Sequence, residues 1–438
     1  MISPEPRPAL SVAIKSTGCR TNQEEMTALR AELENNGFDV IDKIESADVV
    51  IVNTCSVTSL TESKVKRLLH VVSRGAPNAG ILVTGCLAQQ SPEELRTFAN
   101  VRWVVGNARK HEIPALLREE RGGVFHSDIN PSPLVLPGAV VPPRAGNRTR
   151  FSIKIQEGCD HRCAYCIVPL LRGPSRSAPL GGILDACWRA IDEGYKEIVL
   201  TGTHIGQFSD GLMELLRRLS ALEGDFRVRL SSLDPRELTD ELCDMVGEGK
   251  KLCDHLHVSL QSLSPDVLIA MARSYASFDE MVGRLERFRA RYPNAGLGAD
   301  FIVGFPGETQ ARFSETAAAA ERIGFSYAHL FRFSARPGTK AASLGEKVPA
   351  PVKQERSEYL RSIIEKSRGA FIRRQCGRAH RIIVEQESPV RGVTANYLGV
   401  EGTSFSGLHN SWIDVILDGT MINGRLRCDA FPVRRMGP

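Results

Sequence analysis

The chain has 438 residues, 42% of them apolar and 24% charged, with a net charge of +5. That length allows two to four domains of ordinary globular composition. It excludes a membrane protein of the helical kind, because no apolar run is long enough to span a bilayer.

Met1–Pro8 carries three prolines and no apolar core, so no signal peptide is expected. Eleven cysteines in a chain expected to stay in the reducing cytoplasm point to metal or redox chemistry rather than disulfides. Ser11–Lys15 reads as a short strand, and Asn22–Asn35 as an amphipathic helix ended by Gly37. Ala47–Asn53 and Gly80–Gly85 are continuous apolar runs, the pattern of buried parallel strands. Thr58–Ser73 reads as helix between them, and Pro92 opens another at a tolerated first-turn position. This alternation predicts a doubly wound α/β domain over residues 9–125.

Three cysteines occupy equivalent places in it. Cys19 (Gly18-Cys19-Arg20), Cys55 (Asn53-Thr54-Cys55) and Cys86 (Thr84-Gly85-Cys86) each follow the carboxyl end of an expected strand. Open parallel sheets bind ligands at that edge, so distant cysteines can meet there. Three unrelated core cysteines are the alternative. The phrases resemble the N-terminal domain of the methylthiotransferase family. The resemblance implies that Cys19, Cys55 and Cys86 hold an auxiliary 4Fe–4S cluster with an open iron, tied to sulfur donation.

Residues 126–148 contain five prolines and read as an extended linker. Over residues 149–374 the chain repeats strand then helix six times. The strands fall near Phe151–Gln156, Glu197–Thr201, Arg227–Ser232, His255–Leu260, Gly298–Val303 and Tyr327–Phe331. The loop after the first strand holds Cys159, Cys163 and Cys166 in a C-x3-C-x2-C spacing, with Tyr165 before the third. Thiolates this close in sequence can converge on one soft metal centre. Tetrahedral zinc and ordinary ferredoxin clusters use four protein ligands, so a trio points to a 4Fe–4S cluster with one iron open to a small molecule. Zinc closed by His161 or a distant cysteine is the alternative.

C-x3-C-x-aromatic-C after a strand resembles the radical S-adenosylmethionine enzymes, and six βα units resemble their (βα)6 partial barrel. The resemblance implies that the open iron chelates S-adenosylmethionine and that the reduced cluster cleaves it to a 5′-deoxyadenosyl radical. It also implies cofactor contacts from Tyr165 and from strand-end loops at Thr201 and Gly202, Ser232, Ser259 and Gln261, and Gly304 and Pro306. Leu263 and Phe208–Gly211 depart from the family's usual loop residues, which bears on substrate contacts rather than on cluster ligands. Arg172-Gly173-Pro174-Ser175-Arg176-Ser177 resembles the methylthiotransferase branch acting on threonylcarbamoyl-adenosine in tRNA, with Arg172 and Arg176 as substrate contacts. Ordinary salt bridging is the alternative for both arginines.

Val352–Arg374 reads as a basic helix. Residues 351–381 carry nine Lys/Arg against three Glu, a net +6 that leaves the remainder of the chain about neutral. Strand-like stretches follow at Arg381–Glu385, Gly392–Tyr397, Trp412–Leu417 and Gly424–Cys428, which fits a small β-barrel over residues 375–438. Gly392–Tyr397 resembles the TRAM domain, an RNA-binding barrel. Arg373, Arg374, Arg378 and Tyr397 are the expected RNA contacts. Cys187, Cys243, Cys253, Cys376 and Cys428 lack ligand-like surroundings and are expected to pack.

The resemblance spans nearly the whole chain and implies a radical S-adenosylmethionine methylthiotransferase. Such an enzyme inserts a methylthio group at C2 of an adenine next to the anticodon, with two 4Fe–4S clusters. S-adenosylmethionine serves both as radical source and as methyl donor. The expected partners are tRNA and an electron donor such as flavodoxin or ferredoxin, with no membrane. The rivals are a sister enzyme acting on isopentenyl-adenosine or on a ribosomal protein, and a non-enzymatic RNA-binding protein with structural zinc.

Overall fold

A computed structural model of the chain describes residues 10–127, 149–273, 277–345, 347–404 and 406–432. The expected linker falls, from 128 to 148, outside the described residues. The chain forms two compact units. The first comprises the described residues of Met1–Val140 with Gln156–Ala178 and Ser334–Ala342. The second comprises those of Val141–Ile155, Pro179–Phe333 and Ser343–Pro438.

The first unit is built on six strands: β1 (Ser11–Ser16), β2 (Asp39–Ile41), β3 (Val49–Thr54), β4 (Gly80–Gly85), β5 (Val101–Val105) and β6 (Gly123–Phe125). They form an all-parallel sheet in the order β2-β1-β3-β4-β5-β6. Every residue of β3 and β4 is buried, as both faces of a helix-covered parallel sheet require. Alternation along β3 sends Val50 and Val52 to one face, against Val65, Leu69 and Val72 of α2 (Ser59–Gly75). It sends Val49 and Ile51 to the other, against Met26, Leu29 and Leu33 of α1 (Arg20–Asn35). Gly37, in the left-handed region at φ +82°, ends α1 as expected, with Phe38 N–H returning to the Leu33 carbonyl at 3.1 Å. The Thr58 hydroxyl caps α2 by accepting from Thr61 N–H at 3.2 Å.

The expected six-strand repeat is present, but its hydrogen bonding is split. β7 (Arg150–Glu157), β8 (Arg176–Ser177), β9 (Glu197–Gly202) and β10 (Arg227–Leu230) form one sheet, ordered β10-β9-β7-β8. β11 (His255–Gln261), β12 (Gly296–Val303) and β13 (Tyr327–Arg332) form another. The link from β10 towards β11 is reduced to the isolated bridges Val228↔Leu252 and Leu233↔Val258, so the barrel is partial and open. β7 ends within the first unit, where Gln156 and Glu157 pair with Ser177 and Arg176 of β8.

On β11–β13 the apolar face carries Leu256, Val258, Leu260, Leu297, Ala299 and Phe301, all essentially inaccessible. The alternate positions make the other face polar and aromatic. They are His255, His257 and Ser259, then Gly296, Gly298 and Asp300, then Tyr327, His329 and Phe331.

The C-terminal part of the second unit is a curled, mainly antiparallel sheet, ordered β14-β18-β19-β17-β16-β15. Its strands are β14 (Ala379–Ile383), β15 (Gln386–Glu387), β16 (Val390–Val393), β17 (Gly399–Gly402), β18 (Trp412–Ile422) and β19 (Arg425–Pro432). Phe371 of the long helix Ala350–Gln375 shares its core with Ile382, Val390, Val415 and Leu426. The turn between β16 and β17 presses on the partial barrel. Fully buried Arg229 donates to Glu197 and to the carbonyls of Thr394 and Ala395. Arg227 donates to Glu197 and to the Val393 carbonyl. A Cβ at Gly296 would collide with the Asn396 carbonyl oxygen, so only glycine lets that turn approach. Burial alone would raise the Glu197 carboxyl. Arg229, Arg227 and Arg150 beside it outweigh that and hold it well below the usual carboxylate range.

Candidate functional site

Cys19, Cys55 and Cys86 follow β1, β3 and β4, three neighbouring strands, at their carboxyl ends. A polar lattice joins the three loops. Asn22 Nδ2 donates to the Thr17 carbonyl at 2.9 Å and the Thr54 carbonyl at 3.0 Å. Asn53 Nδ2 donates to the Asn22 carbonyl at 3.0 Å. The Thr54 hydroxyl donates to the Thr84 carbonyl at 2.6 Å and accepts from Leu87 N–H at 3.2 Å. Gly18 has φ +105°, and a Cβ there would collide with Cys55. Burial pushes the Cys55 thiol up to about 11, and the neighbouring Cys86 and Cys19 thiols add to the rise. Thiols that oppose one another's ionisation suit a bound cation, which relieves the repulsion.

The second trio sits on a tightly braced loop. Gly158 has φ +77°, and a Cβ there would collide with the Pro174 carbonyl oxygen. Cys159 N–H donates to the Gly173 carbonyl at 3.0 Å, and Ser175 N–H to Asp160 Oδ1 at 2.9 Å. Gln156 Nε2 donates to the Gly158 carbonyl at 2.8 Å and to Ser175 Oγ at 2.9 Å. The cysteine loop is therefore closed on Gly173–Ser177, the segment that carries the expected substrate signature. Cys159, Cys163, Tyr165 and Cys166 are all half-buried.

Arg172 makes the salt bridges that were the alternative to its reading as a substrate contact. It is 4% exposed and donates through Nη1 to Glu25 at 2.6 Å and Glu157 at 2.8 Å, and through Nη2 to Asn22 Oδ1 at 2.7 Å. Arg176 shares Glu157 at 3.2 Å, and Lys110 pairs with Glu25. Burial works to lower the Arg172 pKa. Glu25, Cys86, Glu157 and Cys19 around it outweigh burial and raise it. Leu171 of the helix Val168–Arg172 and Ile167 just before it pack against Cys86. One buried cation thus ties α1, which follows Cys19, to Glu157, which precedes the second cysteine loop.

The strand-end loops of the second unit offer polar groups to a ligand. Thr203 Oγ1, beside Thr201 and Gly202, and Ser231 Oγ, beside exposed Ser232, are buried without a hydrogen-bond partner among the described residues. Gln261 holds φ +70° at a register shift in β11. Gly304 has φ +77°, and its N–H donates to Glu308 at 2.8 Å. Glu308 is held in turn by Arg356 at 2.9 Å, and Pro306 is buried.

Sequence reasoning named Ser259 but missed the histidines, Asp300 and Tyr327 that share its face of β11–β13. Asp300 Oδ1 faces His257 Nε2 at 3.0 Å and His329 Nδ1 at 3.1 Å, and Oδ2 accepts from Ser259 at 3.2 Å. The Tyr327 hydroxyl lies 2.8 Å from His257 Nδ1 and 2.9 Å from His255 Nε2. Burial would raise the Asp300 carboxyl, but the two imidazoles hold it far below its ordinary value. Polar residues at every second place in an otherwise apolar strand, as in His255-Leu256-His257-Val258-Ser259, were the available signal.

Among the expected RNA contacts, Arg373, Arg374 and Arg378 are exposed. Tyr397 instead packs inward, its ring stacked on His255 at 4.5 Å and lying under Arg229 at 5.4 Å. Cys187, Cys243, Cys253 and Cys428 are buried, and Cys376 is half-buried.

Residues 11–106 match Uncharacterized protein family UPF0004, and residues 153–320 match the Radical SAM superfamily. The chain is 36% identical over 398 residues to the threonylcarbamoyladenosine tRNA methylthiotransferase MtaB of Thermotoga maritima, covering 88% of this chain and 89% of the relative. It is 33% identical over 385 residues to the tRNA-2-methylthio-N(6)-dimethylallyladenosine synthase of Erythrobacter litoralis, covering 85% and 86%. Among solved structures, the radical S-adenosylmethionine methyltransferase TsrM from Kitasatospora setae, with cobalamin and a [4Fe-4S] cluster bound, superposes with a TM-score of 0.56 at 16% identity. The overlap covers 76% of this chain and 77% of that one, a likeness of fold. Relatives 36% and 33% identical over most of both lengths, together with the Radical SAM match, show that this chain belongs to the radical S-adenosylmethionine methylthiotransferase family.

Proposed function

We propose that this chain is a tRNA methylthiotransferase that places a methylthio group at C2 of N6-threonylcarbamoyladenosine beside the anticodon. The observation that carries the reading is the presence of both cysteine trios in one compact unit, joined through buried Arg172. The substrate branch rests on Gly173-Pro174-Ser175-Arg176-Ser177 and on the substrate named for the Thermotoga maritima relative.

Cys159, Cys163 and Cys166 would hold one 4Fe–4S cluster, and Cys19, Cys55 and Cys86 the other. Three thiols at each centre fit a cluster that keeps one iron open. Tyr165, Thr201, Gly202, Ser232, Ser259, Gln261, Gly304 and Pro306 would surround S-adenosylmethionine, a polar ligand suited to the unpartnered Thr203 and Ser231 hydroxyls. When bound, these groups supply the radical, the sulfur and the methyl group.

The chain's own residues set the stage for that chemistry. Arg172 offsets thiolate charge beside Cys19 and Cys86. Glu308 fixes the Gly304 turn. Arg373, Arg374 and Arg378 meet phosphates. We assign residues 9–125 to the auxiliary cluster, 126–148 to a linker, 149–374 to the radical chemistry and 375–438 to RNA binding. A flavodoxin or ferredoxin would supply electrons in the cytoplasm.

Nucleoside mass spectrometry on tRNA from cells with and without the protein tests the reading. Loss of 2-methylthio-threonylcarbamoyladenosine is the expected result. Loss of the isopentenyl counterpart instead would overturn the substrate and keep the chemistry. No change in either would remove tRNA as the substrate.

A further inference from the structure

The polar face of β11–β13 ends, at the carboxyl edge of β13, in two exposed rings. His329 has a 57% exposed side chain and Phe331 is 41% exposed, while His255 and His257 on the same face are 3% and 5% exposed. The two exposed rings meet edge to face, 6.4 Å apart at 75°, and so form a floor and a wall.

His329 is oriented by one hydrogen bond. Its Nδ1 faces Asp300 Oδ1, and Asp300 is fixed by His257 and Ser259. In the tautomer whose Nδ1–H donates to the carboxylate, Nε2 is the acceptor on the other edge of the ring. The donor atoms of His257, Asp300 and His329 lie within 4.8 Å of one another, the spacing of a cation site. Asp300, however, already has one oxygen shared by both imidazoles and the other taken by Ser259, so the cluster is closed on itself as a support.

An exposed apolar ring beside a fixed acceptor, at the ligand-binding edge of a parallel sheet, matches one chemical class: a flat purine carrying an exocyclic N–H. We propose that Phe331 stacks on the target adenine of the RNA while His329 Nε2 accepts a hydrogen bond from its exocyclic nitrogen. This rests on the tRNA reading above and names the residues that receive the base. Gly298 belongs to the same design: a Cβ there would collide with the Tyr327 ring, whose hydroxyl holds His257 and His255.

The test uses the cluster-loaded full-length protein and an anticodon stem-loop with 2-aminopurine at the target position. That base fluoresces when unstacked and lacks the 6-amino group. Binding is followed separately by the anisotropy of a 5′ dye. In the wild-type complex the 2-aminopurine is quenched. Phe331→Ala abolishes the quench and raises the KM for tRNA about tenfold, and Phe331→Trp restores both. His329→Ala weakens an adenine-containing stem-loop several-fold yet leaves the 2-aminopurine stem-loop unchanged. Equal fluorescence in wild-type and Phe331→Ala complexes, with both RNAs bound, overturns the base site and leaves the tRNA reading standing. Failure of every protein to bind any stem-loop overturns both.

Discussion

Arg172 illustrates how a residue visible in the sequence acquires its meaning only from the fold. The Arg-Gly-Pro-Ser-Arg-Ser run is legible, but the partner Glu25 lies 147 residues earlier. No local pattern reveals such a pairing. Removing the guanidinium takes from buried Glu25 and Glu157 the cation they share, leaving Lys110 beside Glu25 and Arg176 beside Glu157. Arg172→Met is expected to destabilise the first unit by about 3 kcal/mol. It should also lower the iron retained per chain, read by metal analysis beside the visible absorbance. Arg172→Lys keeps the charge but loses the fork that reaches Glu157, Glu25 and Asn22 together, so it should recover part of the stability. Iron retention and unfolding midpoint both at wild-type values in Arg172→Met would show that this cation does not join the two cysteine loops.

At the scale of elements, continuous apolar runs made β3 and β4 legible, and the six-fold alternation made the central strands legible. Short strands such as β2, β6 and β8 carry too few residues for a period to show. The break in pairing between β10 and β11 has no sequence mark either, because it depends on how the sheet curls. Nor did the sequence disclose that the β16–β17 turn docks on β9 and β10 through Glu197. Glu197→Gln would leave Arg227 and Arg229 buried with little countercharge. A loss of about 3–5 kcal/mol at neutral pH is expected from breaking such a pair, read as an earlier unfolding midpoint in the fluorescence of Trp412, which lies 5.2 Å from Arg227. The pH dependence follows in sign. The folded carboxyl is depressed, so its contribution is complete above the unfolded value near 4.5 and is lost as pH falls below it. The gap between wild type and Glu197→Gln should therefore narrow as the pH is lowered from 7 towards 3. A gap that widens on acidification contradicts the assignment.

For the whole molecule, charge is separated from chemistry along the chain. The excess positive charge lies in residues 351–381, while the cysteine trios lie in the first unit. Arg373, Arg374 and Arg378 stand exposed where the long helix hands over to the curled C-terminal sheet, a place suited to phosphate rather than to a base edge. Phosphate contacts release counterions and base contacts do not, so the two kinds separate by salt dependence. Replacing the three arginines by alanine should weaken tRNA binding at every sequence. It should also flatten the slope of log K against log[salt] by about two to three units. Phe331→Ala should weaken binding with the slope unchanged, since stacking on a neutral ring displaces no ions. Titrations of tRNA at four or five salt concentrations decide between them. If the arginine variant keeps the wild-type slope, the basic segment is a solvated helix end, and the electrostatic footprint of the RNA must be sought elsewhere on the protein.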